Sequence, residues 1–370
     1  MKKILFVSSE AVPYIKTGGL ADVVGSLPKY FDRNEYDVRV MLPKYACMDA
    51  AFLPNLRFVC HFYVNLNWRK QYVGILESEY RGIHYYFVDN EFYFAGSSPY
   101  NNIYEDVEKF AYFSKAVLAS LPYIDYAPDV IHCHDWQTGL VPVYLHTAFG
   151  DDNFYAGIKT VFSIHNLKFQ GRWRIREVID ITGLPEQIFN DKELESYGEA
   201  NYLKGGVVYA DAVTTVSPSY ANEITTQEGG EGLHGLMNAR RNVLYGILNG
   251  IDYDEFNPQT DPYIESNFSS KSVLSGKKAN KVPFLPVTFC PMVVPPVPEV
   301  PPKNRSWKVQ PGSASWVTLS YFSTTMAFSG VFWKARVLLS LPWRMIFWVE
   351  GSFIWKPGAG STSVTVYAPG

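Results

Sequence analysis

Short apolar runs rich in β-branched and aromatic residues alternate with helical stripes along the first 281 residues of this 370-residue chain. Runs that are apolar at nearly every position are typical of strands buried on both faces. Helical spacing of apolar residues runs from Leu20 to Phe31, where Pro28 predicts a kink or an irregular turn, and from Val107 to Leu121. This alternation predicts an α/β fold with a doubly wound, mostly parallel sheet. The predicted strands are Ile4–Val7, Val38–Leu42, Tyr72–Leu76, Ile83–Val88, Val130–Cys133 and Thr160–Ile164.

The composition changes at Val282. Residues 282–370 hold 12 of the 24 prolines and 6 of the 9 tryptophans, but only two acidic residues, Glu299 and Glu350. Closely spaced prolines remove backbone donors and fix φ, so the proline-rich part fits neither helical nor strand periodicity. A sequence out of its proper reading frame explains the missing acids and the lost periodicity. An unusual second domain or a surface-binding tail is the alternative.

These patterns divide the chain into three segments. Residues 1–256 are predicted to form a Rossmann-like sheet domain, and residues 257–281 to connect it to the C-terminal segment. Residues 282–370 are expected to be an atypical tail that forms no native domain and makes few contacts with the sheet domain.

Charge and cysteine content narrow the function classes. A net charge of -3 argues against binding nucleic acid through bulk positive charge. No apolar stretch reaches the roughly 18 residues of a membrane span, and the apolar run at the N-terminus is too short for a signal peptide. The four cysteines form no CxxC pair, which is typical of reduced thiols. We therefore expect a cytoplasmic protein with no nucleic-acid or membrane partner.

The motif KTGGLADV follows the first predicted strand and opens the first helical stripe. Gly18 and Gly19 allow close backbone approach, and the start of a helix presents unpaired N–H groups. Lys16 adds a positive charge, so the motif fits an anion such as a phosphate. It matches neither a Walker A motif nor GxGxxG. A tight turn with a solvated lysine is the alternative.

The motif HCHDWQTG closes the strand that begins at Val130. Period-two geometry puts His132 and His134 on one face, and these two side chains could ligate a metal together with His165. The interpretation we favour is that Asp135 and Trp136 line a ligand with many hydroxyl groups, since a carboxylate accepts their hydrogen bonds and an indole covers a sugar face.

Two further motifs are SIHNLKFQG, at the end of a predicted strand, and GILNGID, which contains a turn pattern. In SIHNLKFQG, His165 could donate a hydrogen bond to a reacting sugar, or it could be merely a satisfied polar residue. In GILNGID, Asn249 precedes a glycine in a turn pattern, and it could bind a ligand or only tolerate a left-handed backbone.

Five motifs occur in the order found in bacterial glycogen synthases and plant starch synthases, a family that the chain resembles from Met1 to about Val282. The resemblance implies a two-domain GT-B glycosyltransferase that moves glucose from ADP-glucose, or UDP-glucose in some relatives, to the non-reducing end of an α-1,4-glucan. The anomeric configuration is retained, and no metal or other cofactor is needed. The motifs are KTGGLADVVGSLPK, HCHDWQTGLVP, SIHNLKFQG, NYLKGGVVYADAVTTVSPSYANEI and EGLHGLMNARRNVLYGILNGIDYDEFNP.

The resemblance also implies residue roles. Asp135 resembles the active-site acid and His165 the catalytic-site histidine. The donor and sugar side is implied to hold the phosphate lysine, two close-approach glycines, an acid, a sugar-covering aromatic and a cleft asparagine, which correspond to Lys16, Gly18, Gly19, Asp22, Tyr93 and Asn249.

The chain departs from the family pattern after the fifth motif. No string like SRLxxQKG or EPCGL, which supply an Arg, a Lys and a Glu in the second Rossmann-like domain of the family, occurs in residues 282–370. The second domain is therefore expected to be missing or replaced by the atypical tail. This leaves two alternatives to an active synthase: a catalytically silent half that only binds glucan, and, more remotely, a metal hydrolase built on the three histidines.

Overall fold

The computed structural model describes residues 1–281 and, farther along the chain, three strands formed by residues 318–327, 330–340 and 346–354. The chain divides into two compact units, Met1–Gly276 and Lys277–Gly370. Apart from the three strands, the expectations for the atypical tail fall outside the described residues. The segment boundaries at 256 and 281 stay a prediction.

Twelve strands lie in the first unit. They are β1 (Lys2–Val7), β2 (Tyr36–Pro43), β3 (Arg57–Leu66), β4 (Arg69–Tyr80), β5 (Ile83–Asp89), β6 (Val130–His134), β7 (Lys159–Ile164), β8 (Arg172–Arg174), β9 (Glu195–Ser196), β10 (Glu199–Asn201), β11 (Ala212–Thr215) and β12 (Leu244–Gly246). Nine of them form one sheet in the order β12-β11-β7-β6-β1-β2-β5-β4-β3, and β8-β10-β9 form a small antiparallel sheet.

The seven strands from β12 to β5 are parallel, whereas β4 and β3 are antiparallel to their neighbours. The predicted doubly wound, mostly parallel sheet is thus confirmed, as are all six predicted strands. The predicted strand Tyr72–Leu76 lies inside β4, in the antiparallel part.

Nine α-helices are described. They are α1 (Gly19–Ser26), α2 (Glu91–Phe94), α3 (Ile103–Ser120), α4 (Leu140–Thr147), α5 (Ile175–Thr182), α6 (Tyr202–Tyr209), α7 (Pro218–Glu223), α8 (His234–Ala239) and α9 (Val273–Asn280). The irregular turn predicted at Pro28 is a short 3₁₀ helix, Leu27–Tyr30, directly after α1. Within the described residues, every helix is too short or too polar to cross a membrane.

The sheet is buried on both faces, which explains why its strands are apolar at nearly every position. In β1, Leu5 and Val7 belong to a core cluster that α3, α4 and α6 cover, while Phe6 belongs to a second cluster with Leu20 and Val24 of α1. All five of these side chains are buried. The α1 and α3 stripes therefore pack on opposite faces of one sheet.

The second unit contains β13 (Thr318–Ala327), β14 (Gly330–Ser340) and β15 (Ile346–Ile354), which pair as antiparallel neighbours in that order. These three strands lie after the proline-rich part and leave the expectation that the tail forms no native domain a prediction. They are rich in β-branched and aromatic residues, which favour strands even where strict alternation is lost.

Candidate functional site

The carboxyl ends of the parallel strands gather the predicted site residues at one edge of the sheet. The loop bearing Lys16 comes after β1, Asp135 after β6, His165 after β7, and Asn249 after β12. Because these four strands are parallel, the loops after them share that edge, which is where ligands bind in open α/β sheets. The edge therefore brings together all four of these predicted residues.

Asp135 has an uncommon backbone conformation, with φ 56° and ψ −179°. A side chain with a Cβ rarely adopts this region, and such strain persists where the surroundings impose it. Its Oδ1 accepts hydrogen bonds from the backbone N–H of His165 at 2.7 Å and of Asn166 at 3.5 Å. The carboxylate therefore ties the ends of β6 and β7 together and holds His165 beside it.

Burial raises the pKa of Asp135 to about 7, against the opposing effect of its bonds from the His165 and Asn166 amides. The carboxylate of Glu10 raises this pKa further. Asp135 thus changes its charge near neutral pH, which is unusual for a carboxyl group and typical of functional sites.

Three histidines lie in contact behind Asp135. The His132 and His134 ring centroids are 4.2 Å apart, as the period of the strand predicts, and His134 Nδ1 is 3.0 Å from His165 Nε2. His132 Nε2 is also 2.7 Å from Ser163 Oγ. Burial lowers the pKa of His132 to about 3 and that of His165 to about 4, and it lowers the pKa of His134 as well. All three rings are therefore neutral at pH 7.

This stacked arrangement gives the metal-hydrolase alternative no geometric support. The rings bond to one another and to a serine instead of pointing at a shared centre. Among residues 1–281, no group of three or more His, Cys, Asp or Glu side chains is placed to hold a metal ion.

Glu10 organises the KTGG loop, a role that the sequence did not reveal. Its side chain is 3% exposed, and it accepts hydrogen bonds from the backbone and hydroxyl of Thr17 and from the Gly18 N–H at 3.4 Å. The Tyr100 hydroxyl donates to Glu10 at 2.8 Å. A buried carboxylate is costly without such donors, so Glu10 fixes the loop that carries Lys16. The available signal was an acidic residue two serines after an apolar strand.

We expect Glu10→Gln to speed amide exchange at Thr17 and Gly18 about tenfold or more. The substitution turns one acceptor oxygen into a donor, and a hydrogen bond to a charged group contributes about 1.5–3 kcal/mol. Hydrogen exchange of a peptide spanning residues 15–20 in the full chain measures the change. Glu91→Gln, at an exposed position at the start of α2, should leave this exchange unaltered. Equal exchange in wild type and Glu10→Gln would contradict the role of Glu10.

Lys16 and Asp22 form an ion pair at the start of α1. Lys16 Nζ lies 2.7 Å from Asp22 Oδ1, and the two side chains are 47% and 33% exposed. Pairs this exposed contribute little to stability, so the lysine remains available to an anion. Gly18 has an extended φ of −154°, and a Cβ placed on Gly18 or Gly19 would meet no atom within 4 Å. These glycines thus border open space, and their close approach to a ligand stays a prediction.

Tyr93 and Trp136 lie deeper than a sugar-stacking role suggests. Tyr93 is 7% exposed, its ring stacks on Tyr112 with centroids 4.5 Å apart, and its hydroxyl donates to Glu108 at 2.9 Å. Trp136 is 6% exposed and packs edge-on against Phe110. Both rings belong to the buried core next to the site, and their contact with a sugar stays a prediction.

Asn249 is exposed at the end of β12, in agreement with the open position that a ligand contact needs. Three residues on, Asp252 is buried and accepts hydrogen bonds from Lys29 and from Ser26 Oγ at 3.2 Å. This ion pair fastens the NGID segment to the end of α1 and the 3₁₀ helix after it. Whether Asn249 binds a ligand stays a prediction.

Comparison with known proteins gives consistent matches. The sequence profile of the starch synthase catalytic domain matches residues 3–239. The chain is 60% identical over 281 residues to the glycogen synthase of Lachnoclostridium phytofermentans, and 58% identical over 282 residues to that of Lachnospira eligens. Each alignment covers 76% of this chain and 59% of the relative, so the chain spans less than two thirds of these relatives.

A solved structure has a similar fold. It is the catalytic domain of Starch Synthase IV from Arabidopsis thaliana, bound to ADP and acarbose. The TM-score is 0.67 at 32% identity, and the match covers 75% of this chain and 57% of that one.

Proposed function

Because the chain belongs to the starch synthase catalytic domain family, we propose that it provides one wall of the active site of a retaining glucosyltransferase. The proposed reaction moves glucose from ADP-glucose to the non-reducing end of an α-1,4-glucan. A location in the cytoplasm is part of this proposal. The similar starch synthase structure, with ADP and acarbose bound, supports a nucleotide and a glucan as ligands.

One observation supports the proposal: the loop that carries Lys16 and the hydrogen-bonded pair of Asp135 and His165 lie at the same edge of the sheet. The phosphates of ADP-glucose are negatively charged, and Lys16 with the first N–H groups of α1 is suited to bind them. Positive charge builds up on the sugar, and the ionised Asp135 carboxylate is suited to stabilise it. His165 is neutral and can hydrogen-bond a sugar hydroxyl through the nitrogen that does not face His134.

We propose that the anomeric configuration is retained because the phosphate leaves and the acceptor hydroxyl attacks on the same face of the sugar. Such a step needs fixed charges more than a covalent nucleophile, and Asp135 is the candidate if a nucleophile takes part. The Arg, Lys and Glu that the family places in its second domain would complete the cleft. For the 370-residue chain we therefore expect little or no transfer, although residues 1–281 keep the glucan-facing side.

The test is glucose transfer from labelled ADP-glucose to glycogen. We would assay the full chain and a chimera that joins residues 1–281 to the remaining part of the Lachnoclostridium phytofermentans glycogen synthase, which is 60% identical over the shared part. Transfer by the chimera is expected. A folded chimera that transfers no glucose would overturn the proposal, and glucan binding by such a chimera would favour a silent, glucan-binding half.

Lys16→Ala in the chimera should raise the KM for ADP-glucose about tenfold and change kcat little. The lysine is proposed to bind the donor phosphates equally in ground and transition states, so its loss weakens binding chiefly. Lys2→Ala, at the opposite end of β1, is the matched control and should behave as wild type. A lower kcat at unchanged KM in Lys16→Ala would contradict the assigned role.

A further inference from the structure

His134 is the fully buried member of the three histidines in contact, and the proposed reaction gives it no role. It lies at the end of β6, where its ring stacks on that of Phe6 with centroids 5.5 Å apart. Its Nδ1 is 3.0 Å from His165 Nε2. Its Nε2 is buried, and no group among the residues that the structure describes is placed to hydrogen-bond to it. The hydrogen bond to His165 is therefore the one that can orient this ring.

The direction of this hydrogen bond decides which nitrogen carries the proton in each ring. A neutral imidazole has one protonated nitrogen, which donates, and one bare nitrogen, which accepts. If His165 Nε2 donated, His134 would carry its proton on the buried Nε2, as an N–H group without an acceptor. If His134 Nδ1 donates, the buried Nε2 is a bare nitrogen instead. The two directions thus bury different groups.

A bare buried nitrogen is the less costly of these two groups. Among buried backbone groups, N–H groups without a partner are rarer than acceptors without one, and we apply the same preference to ring nitrogens. Phe6, which covers the His134 ring at an interplanar angle of 23°, offers no acceptor. His134 Nδ1 is therefore the donor, and His165 Nε2 is the acceptor.

We propose that His134 is a positioning residue, which donates from Nδ1 to His165 Nε2 and thereby fixes the proton of His165 on Nδ1. His165 is partly exposed after β7, so its Nδ1–H is the group that it presents to a ligand. The ligand atom bound there must be an acceptor, whereas the ionised carboxylate of Asp135 binds donors. This inference rests on the proposed function only for the nature of the acceptor, which is the oxygen of a sugar hydroxyl.

The experiment is a long-range ¹H–¹⁵N NMR correlation of the full chain labelled with ¹⁵N-histidine, which distinguishes protonated from bare ring nitrogens. The His165 signals are assigned by their loss in His165→Gln. In the wild type we expect the proton of His165 on Nδ1. His134→Phe keeps an aromatic ring without a donor, so part of the His165 proton should move to Nε2. His134→Asn can donate from about the place of Nδ1 and should keep the wild-type pattern. His61→Phe, at an exposed position of β3, is the matched control and should leave the His165 signals unchanged.

Two results would overturn the inference: a proton on Nε2 of His165 in the wild type, or an unchanged His165 proton on Nδ1 in His134→Phe. If His134→Phe does not fold, the wild-type spectrum still decides.

Activity of the chimera gives a second readout. His134→Phe should lower kcat/KM for glucose transfer about tenfold, the effect of losing about one hydrogen bond, and His134→Asn should stay within about threefold of wild type. Equal losses in both variants would contradict positioning through this hydrogen bond. The NMR spectrum needs no turnover, so an inactive chimera would remove the proposed function and leave the assignment of the His165 proton to the spectrum.

Discussion

Asp135→Asn should lower kcat of the chimera by about 10²–10³, the cost of removing one preorganised electrostatic group. The asparagine Oδ1 can still accept the hydrogen bond from the His165 N–H, so the loop geometry is kept and only the charge is lost. The KM for ADP-glucose should change little, because the carboxylate acts on charge that appears in the transition state. Steady-state transfer to glycogen measures both constants. Asp129→Asn, at an exposed position before β6 at the opposite edge, is the control and should be fully active.

The pH profile separates a charge effect from a structural one. The pKa of Asp135 is about 7, so the ionised fraction, and with it kcat, should rise through pH 7 and level off about one pH unit above it. In Asp135→Asn this acid limb should disappear, leaving a flat and low profile over the same range. An identical acid limb in wild type and variant would show that Asp135 is not the titrating group.

The second large effect is acid destabilisation by the three histidines in contact, His132, His134 and His165. An unfolded histidine titrates near pH 6.5, whereas burial holds the pKa of His132 at about 3 and that of His165 at about 4 in the folded chain. At pH values between the folded and the unfolded pKa, the unfolded state binds more protons than the folded state. The free energy of unfolding therefore falls as pH decreases below about 6.5. Each histidine contributes a slope of about 1.4 kcal/mol per pH unit.

Asp135 acts in the opposite direction. Its folded pKa of about 7 lies above the ordinary value of 3.8, so the folded state keeps a proton that the unfolded state loses between those values. The unfolded state gains three protons on the histidines and the folded state keeps one on Asp135, so the unfolded state binds two more protons in this pH range. These four groups should therefore lower the free energy of unfolding by about 2.7 kcal/mol per pH unit between about pH 6 and pH 4.5.

Hydrogen exchange of the β6 amides, corrected for intrinsic rates, gives the opening free energy at each pH. His132→Gln removes one titrating group and can still hydrogen-bond to Ser163. It should reduce the slope by about 1.4 kcal/mol per pH unit. His146→Gln, at an exposed position at the end of α4, should leave the slope unchanged. A slope independent of His132 would contradict the protonation account.

The parallel strands were predictable because burial on both faces leaves a continuous apolar run. β3 was missed although it carries the opposite signal, since buried Phe62 and Val64 alternate with exposed Tyr63 and Asn65. β11 and β12 were missed because strands of four and three residues are too short to show a period. Asp135 and His165 could be located at one edge because each follows a parallel strand, and the carboxyl ends of parallel strands share an edge of the sheet.

Side-chain depth and long-range hydrogen bonds were not predictable from one sequence. Trp136 has the residue type of a sugar platform, but its neighbours decide its exposure. Gly171, at φ 62°, brings its backbone against the indole, where a Cβ would lie 2.1 Å from the ring. The bond from Tyr100 to Glu10 joins residues 90 positions apart. Neither contact is predicted by a periodic or local pattern in the sequence.

The Glu10 network has a consequence for protein engineering. A designer who grafts the KTGGLADV segment onto another Rossmann-like sheet would transfer the lysine and the glycines but not the carboxylate that holds Thr17 and Gly18. The grafted loop would adopt many conformations, and the anion binding that we propose for it would be weakened by the conformational entropy lost on ordering. The smallest transferable unit is therefore the segment from Glu10 to Asp22 together with Tyr100, a residue supplied by a distant part of the chain.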